Sequence, residues 1–336
     1  PKENIGTLHA LCYRGLKNYE IAEVNAATFN EQNEGDAISL SSNVIDEMAV
    51  DASYATEGDK HLNTYNLYRA KCMSWKTMPK ETTNWVRKWE RWKDINQYID
   101  FTDMISITLA QDLPMAGDPV VGFYDECQDF NQLELRLVRH WAKYQDHVVL
   151  SGDDDQTIYS FTGASPEAFL DSNVSPDHMR VLNQSWRLPR KIHDYSQRWI
   201  KQIKNRAPKE FKPKDFEGEV GTIEATYRAP EKAIELAARY AQDGKSVMIL
   251  ASCSYLLNEI KRKLRKEGLP YHNPYRASRG DWNPMGKFHV NTKTGTISTR
   301  ERILSFLDES MGMPNKHYWS AENLVRWSNM IRSRGI

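Results

Sequence analysis

Hydrophobic and polar positions follow two different patterns along the chain. Residues 20 to 98 are mostly polar with helical character, and the segment NWVRKWERWKD places Trp85, Trp89 and Trp92 on one helical face. Such an aromatic stripe is more typical of packing between helices than of a ligand site. From about residue 99 onward, short apolar runs alternate with segments of helical periodicity.

Two of these apolar runs have the length and composition of buried parallel strands. They are DPVVGFY at residues 118 to 124 and HVVLSGD at residues 147 to 153. The segment between them repeats apolar residues at helical spacing, namely Leu133, Leu137, Val138 and Trp141. Strand, helix and strand in this order predict a βαβ unit, and therefore an α/β protein with a parallel sheet covered by helices.

The same alternation continues toward the C-terminus. SPEAFLDSN predicts a helix capped by Ser165, MRVLNQ a strand, and LPRKIHDYSQRWIKQI a helix with an apolar stripe from Leu188 to Ile203. A linker rich in lysine and proline follows, and we place a domain boundary near residue 207. VGTIEATY and SVMILA then predict two more strands, while PEKAIELAARYAQDG and SYLLNEIKRKLRKEG predict two more helices.

The amino-acid composition limits the classes of protein to which the chain can belong. A chain of 336 residues with 40% hydrophobic content suits two globular domains, and its net charge of zero makes any contact with a polyanion local. The sequence contains no run of about 18 apolar residues that could span a bilayer. The four cysteines lie far apart, which argues against a zinc site and favours a reducing compartment such as the cytoplasm of a bacterial or phage-infected cell.

Acidic residues follow both predicted strands of the first unit. Asp125 and Glu126 come directly after VVGFY, and Asp153 comes after HVVLSG. Ligands of α/β sheets bind at the carboxyl ends of the strands, where a carboxylate can hold Mg²⁺ and a second one can activate water. The plainer alternative is a solvated loop. The second loop, GDDDQTIYSFTGA, also carries Tyr159 and Phe161, and exposed aromatic rings beside polar groups suit base stacking.

Three segments in order resemble motifs II, III and IV of the superfamily 1 UvrD/Rep DNA helicases: DECQD, GDDDQTIYSFTGA and LNQSWRLPRKI. GTLHALCYRGL, YIDFTDMI and the segment from residue 247 to 271 are similar to further parts of that family. The resemblance implies RecA-like motor domains of the P-loop NTPase type. Residues 1–19 and 99–206 would form part of the first motor domain, 20–98 a helical insertion and 207–275 part of the second, with 276–336 unassigned.

The resemblance also implies a substrate, two cofactors and residue roles. Those cofactors would be ATP and Mg²⁺, and the partner single-stranded DNA with duplex junctions. Asp125 would bind Mg²⁺, Glu126 would activate water, Gln156 would sense the γ-phosphate and Arg187 would act as an arginine finger. Trp186 would stack on adenine, while Tyr159, Phe161, Thr7 and His9 would contact the DNA strand. Thr162 stands where the family often has a basic residue, which puts one phosphate contact in doubt.

Three of these residues have a structural alternative. Trp186 would instead be a core residue, and His9 a structural histidine. Arg187 begins a basic run that extends to residue 214, and such a run is either a solvated helix face or the lining of a DNA path.

A complete P-loop pattern, G-x-x-x-x-G-K-[ST], is missing from the sequence, and so are the later motifs of the family. GDPVVGFY and GDWNPMGKF only approximate the P-loop pattern. We therefore expect the chain to be the middle of an ATP-dependent DNA helicase, inactive by itself. Two alternatives remain. One is a protein that binds single strands or a partner without a motor; the other is a metal-dependent nuclease using Asp153, Asp154 and Asp155 with Asp125.

Overall fold

The computed structural model describes residues 4–16, 18–39, 56–166, 175–253 and 255–272. The chain divides into two compact units, Pro1–Gly221 and Thr222–Ile336. Among the described residues, helices outnumber strands in both units, and the strands belong to two small parallel sheets in the first unit. None of the helices in the described ranges combines the length and hydrophobicity that crossing a bilayer requires.

The first unit contains seven described α-helices and four short strands. The helices are α1 Leu8–Gly15, α2 Ala26–Gln32, α3 Glu57–Ala70, α4 Lys80–Asn96, α5 Phe101–Ala110, α6 Gln132–Trp141 and α7 Arg190–Ile200. The strands are β1 Glu20–Ile21, β2 Tyr98–Ile99, β3 Val121–Tyr124 and β4 His147–Leu150. In the second unit the structure describes α8 Glu231–Gln242 and α9 Leu256–Lys266.

The predicted βαβ unit is present. β3 pairs with β4 in parallel, with Val121 opposite His147 and Tyr124 opposite Leu150. Helix α6 connects them, and its predicted stripe, from Leu133 to Trp141, is buried. The strands themselves are less buried than the sequence predicts, because Phe123 is 78% exposed and the side chains of β3 alternate between exposed and buried.

Two hydrophobic clusters fill the first unit. One combines α1, α5, α6 and the end of β3 around Leu11, Ile105 and Trp141. The other combines α2, α3 and α4 around Phe29 and the tryptophan stripe of α4. Trp85, Trp89 and Trp92 are at most 5% exposed, and their rings contact Phe29 edge to face. The prediction that this stripe is helix-packing core is confirmed.

A buried ionic cluster lies where the two hydrophobic clusters meet. Asp100, which is fully buried, accepts hydrogen bonds from Arg69 at 2.7 Å, Lys93 at 2.8 Å and the Trp89 indole at 3.2 Å. Asp100 and Asp103 also form the capping box that begins α5. The YIDFTDMI segment of the sequence therefore joins the N-terminus of one helix to the side chains of α3 and α4.

Several predicted elements differ from the structure. Residues 179–184, 220–227 and 246–251 form no strand among the described residues, although Gln184 makes one isolated bridge to Lys212. A strand needs hydrogen-bonding partners outside its own segment, and an apolar pattern does not supply them. Helix α7 forms as predicted, but its stripe is open to solvent, with Trp199 61% exposed. The helix predicted after Ser165 lies mostly outside the described residues.

Candidate nucleotide and strand site

The acidic cluster lies at the carboxyl end of the β3 and β4 pair, where the two loops are hydrogen-bonded to each other. The backbone N–H of Ser151 donates to the Tyr124 carbonyl at 2.8 Å, and the Cys127 N–H donates to the Ser151 carbonyl at 3.0 Å. The Ser151 hydroxyl donates a short hydrogen bond to Asp125 Oδ1. Because β3 and β4 are parallel and in register, the residues that follow each strand meet at one edge of the sheet.

Asp125 is exposed and ionised. The Ser151 hydroxyl and the backbone N–H of Glu126, at 3.0 Å, both donate to its Oδ1. These bonds favour the charged form and hold the pKa of Asp125 below its ordinary value. Mg²⁺ is usually bound through one or two carboxylates together with substrate phosphates. An exposed and ionised carboxylate at a strand end fits that donor set.

A chain of hydrogen bonds connects Glu126 to Gln156. Gln128 Nε2 donates to Glu126 Oε2 at 2.6 Å, and Gln128 Oε1 accepts from the backbone N–H of Asp153 at 3.1 Å. Gln156 Nε2 in turn donates to Asp153 Oδ2 at 2.8 Å. Gln128 is only 2% exposed, so its amide is fixed by both neighbours. Glu126 itself has a left-handed backbone, with φ of 52°.

Two residues that the sequence interpretation left without a role therefore organise this site. Ser151 orients Asp125, and Gln128 joins the two acidic loops. Both are polar residues at or just beyond the ends of the predicted strands, which is the signal that could have identified them.

The three consecutive aspartates are already paired with cations. Arg206 binds Asp155 through two hydrogen bonds of 2.7 and 2.6 Å. Lys209 contacts Asp153 at 2.7 Å, Asp155 at 3.2 Å and, more closely, Asp154. Carboxylates that converge on two protein cations are poorly suited to hold catalytic metal ions. This geometry disfavours the nuclease alternative.

Trp186 and Arg187 lie on a turn that projects into solvent. The buried Ser185 hydroxyl accepts hydrogen bonds from the N–H groups of Arg187 at 3.2 Å and Leu188 at 2.8 Å. Trp186 is 84% exposed, so it is not a core residue in this structure. The Arg187 side chain makes no hydrogen bond or ion pair within the described part of the chain, and this includes the residues of the acidic cluster.

The aromatic loop forms a tight turn after the aspartates. Tyr159 is half-buried and precedes the single helical turn Ser160–Thr162, whose Thr162 hydroxyl donates to the Tyr159 carbonyl at 2.7 Å. The side chain of Phe161 lies outside what the structure describes. Gly163 ends the turn with φ of +97°, a conformation that favours glycine.

Thr7 and His9 lie at the start of α1. The Thr7 hydroxyl caps this helix by accepting from the Ala10 N–H at 3.3 Å. The half-buried His9 ring meets Phe101 edge to face, with 6.4 Å between centroids, and burial lowers its pKa. Their described contacts are thus with α1 and α5, as the structural alternative for His9 expects.

Comparisons with known proteins agree with the sequence motifs. A model of the UvrD/REP helicase N-terminal domain matches residues 1–177. A probable DNA helicase II homolog of Mycoplasma capricolum is 31% identical over 157 residues, which is 44% of this chain and 22% of that protein. The ATP-dependent DNA helicase PcrA of Bacillus subtilis is 31% identical over 134 residues, or 37% of this chain and 18% of that protein.

A shorter match has a higher sequence identity. The ATP-dependent DNA helicase UvrD2 of Mycobacterium tuberculosis (strain ATCC 25618 / H37Rv) is 48% identical over 54 residues, covering 16% of this chain and 8% of that helicase. The chain spans less than a quarter of the length of each of these three relatives. Because the domain model covers more than half of its residues, the chain belongs to the UvrD/REP helicase family.

Proposed function

We propose that this chain is part of an ATP-dependent DNA helicase or translocase that moves along single-stranded DNA. The observation that carries the proposal is the hydrogen-bond chain from Glu126 through Gln128 and Asp153 to Gln156, beside the ionised Asp125. Family membership and the parallel β3–α6–β4 unit support RecA-like motor domains, with residues 20–98 as a helical insertion.

In this proposal each member of the site has one task. Asp125 offers a carboxylate to Mg²⁺, which would neutralise charge on the β- and γ-phosphates of ATP. Glu126 accepts a proton from the attacking water, and Gln128 fixes the orientation of its carboxylate. Gln156 responds to the γ-phosphate and transmits its position through Asp153. Coupling by this route needs no contact between Glu126 and Gln156 themselves.

The exposed residues of the site would contact ligands. Trp186 presents an open ring for stacking on adenine, and Arg187 presents a guanidinium that pairs with none of the described residues and could bind the γ-phosphate. Tyr159 and Phe161 would stack on bases of the DNA strand, and Thr7 with His9 would contact its backbone.

The decisive experiment measures ATP hydrolysis, with and without single-stranded DNA, by the product of the complete reading frame. Its DNA should first be read for a G-x-x-x-x-G-K-[ST] pattern upstream. We expect Glu126→Gln to lower kcat by about 10²- to 10⁴-fold, as loss of a general base does. Nucleotide binding should be retained.

Asp146→Asn is the matched control, because Asp146 is an exposed acid of the same unit outside the site, and it should hydrolyse ATP normally. A complete protein without strand-stimulated hydrolysis would contradict the motor function. Strand binding without turnover, lost on Phe161→Ala, would instead support the alternative of a binding protein without a motor.

A further inference from the structure

A second surface adjoins the aromatic loop. A β-carbon added to Gly163 would lie 3.4 Å from Ala70 Cβ and 3.4 Å from Lys71 Cγ. The loop that carries Tyr159 therefore packs against the C-terminus of α3, where residues 71–80 begin. We name residues 71–80, KCMSWKTMPK, the 71–80 segment.

The 71–80 segment combines positive charge with exposed apolar rings. It contains three lysines and no acidic residue. Lys71, Lys76 and Lys80 are exposed and make no ion pair with any residue that the structure describes. Trp75 is 48% exposed and Met73 is 43% exposed. Charge alone would suit many anionic partners, but an open indole between lysines suits a strand with accessible bases.

The segment is held in place by the helices beneath it. Tyr68 on α3 donates to the Thr77 carbonyl at 2.8 Å, and the Met73 N–H donates to the Tyr68 carbonyl at 2.8 Å. The Trp75 ring meets Tyr65 edge to face at 5.3 Å, and Tyr65 is only 2% exposed. A ring supported in this way loses little conformational freedom when it stacks on a base.

Trp75 is also within reach of the aromatic loop. Trp75 is four positions after Lys71 in the sequence, so their two Cα atoms are at most about 14 Å apart. A strand stacked on Tyr159 can thus continue over Lys71 toward Trp75.

We propose that the 71–80 segment is a second contact site for single-stranded nucleic acid, with Trp75 stacking on a base and Lys71 and Lys76 binding phosphates. The inference rests on the proposed strand-binding function and extends it from the aromatic loop onto the helical insertion. An acidic protein partner would pair with the lysines but would offer no base on which the exposed Trp75 ring could stack.

The test is binding of a fluorescein-labelled oligothymidylate to the whole chain, followed by anisotropy at several salt concentrations. Trp75→Ala is expected to weaken binding about 5- to 150-fold, as loss of one stacked base does, and Trp75→Phe should recover most of it. Lys71→Gln combined with Lys76→Gln should reduce the slope of log K against log salt by about 1.4, or about 0.7 for each phosphate contact.

Matched controls use exposed residues elsewhere. Tyr144→Ala removes another exposed aromatic ring, and Lys143→Gln with Lys266→Gln removes two exposed lysines; neither change should alter binding. Unfolding midpoints identify any variant that fails to fold, and the lysine pair tests the surface independently of Trp75.

The outcomes distinguish the proposed strand-binding function from the proposed second contact site. If Tyr159→Ala weakens binding while the variants of the 71–80 segment do not, the second contact site is refuted and the strand-binding function stands. If the unmodified chain binds no oligonucleotide, both are refuted. If a blunt duplex binds as tightly as the single strand and loses as much affinity on Trp75→Ala, the surface does not recognise unpaired bases, and the inference fails.

Discussion

Lys93→Met removes the ammonium group at the centre of the buried ionic cluster. Lys93 is 2% exposed, and its Nζ contacts Asp100 and Glu90 at 2.8 Å each, as well as Asp103 more closely. Methionine keeps much of the apolar stem, so the change mainly removes charge. Arg69 would remain beside Asp100 and Asp103, so a single cation would be left for three carboxylates.

Removing one partner of a buried ion pair typically costs about 3–5 kcal/mol, since the other charge stays buried without compensation. We expect the free energy of unfolding to fall by this amount near neutral pH. Burial already holds the pKa of Glu90 above its ordinary value in the folded state, and loss of the Lys93 cation raises that pKa further. A carboxyl group with a raised folded pKa supports stability at low pH and loses that support as pH rises. The loss in free energy of unfolding caused by Lys93→Met should therefore be smaller at pH 5 than at pH 8.

Urea unfolding followed by tryptophan fluorescence measures this difference, because Trp85, Trp89 and Trp92 pack in the adjoining cluster. Lys60→Met is the matched control: Lys60 pairs with Glu57 on the surface, and both side chains are more than half exposed. Its loss should cost less than about 0.5 kcal/mol. A cost below about 1 kcal/mol for Lys93→Met, or one independent of pH, would refute the reasoning.

Two further predictions follow from single contacts. Ser151→Ala should raise the pKa of Asp125 toward its ordinary value, because the hydroxyl bond is the main cause of the lowered pKa; an NMR titration of the Asp125 carboxyl that shows no change would contradict this. Burial, followed by repulsion from the neighbouring Asp100, raises the pKa of Glu23 to about 7, so its contribution to stability is lost as pH rises through that value. Glu23→Gln keeps an acceptor for the Phe101 N–H and should stabilise the fold at pH 8 by at most about 3 kcal/mol; unchanged unfolding midpoints between pH 5 and 8 would argue against it.

The sequence predicts helices better than strands here, and the reason is the range of their hydrogen bonds. Helical bonds close within four residues, so periodicity alone identified α4, α6, α8 and α9. Periodicity also indicates which face is apolar, but not what covers it. The stripe of α6 is buried and the stripe of α7 is exposed, although both have the same spacing.

In the candidate site, too, the sequence predicted the local features and missed the contacts between distant residues. The strand-end rule indicated that Asp125 and Asp153 would lie on neighbouring loops, and Gln128 now connects those loops. The pairing of Asp155 with Arg206 was not predictable, because 51 residues separate them and no local pattern encodes that contact. Without it, the aspartates looked available for metal binding.

The position of the ionic cluster explains why so many charges are buried there. Apolar side chains of the same volume would often give equal stability, so we interpret the buried ions of this cluster as directional constraints on helix packing. Asp100 begins α5 and also binds Arg69, in the last turn of α3. Helix α3 ends at Ala70, and the side chain of the next residue, Lys71, lies beside Gly163. Fixing α3 against α5 therefore also fixes the 71–80 segment relative to the aromatic loop, which a continuous path for a strand requires.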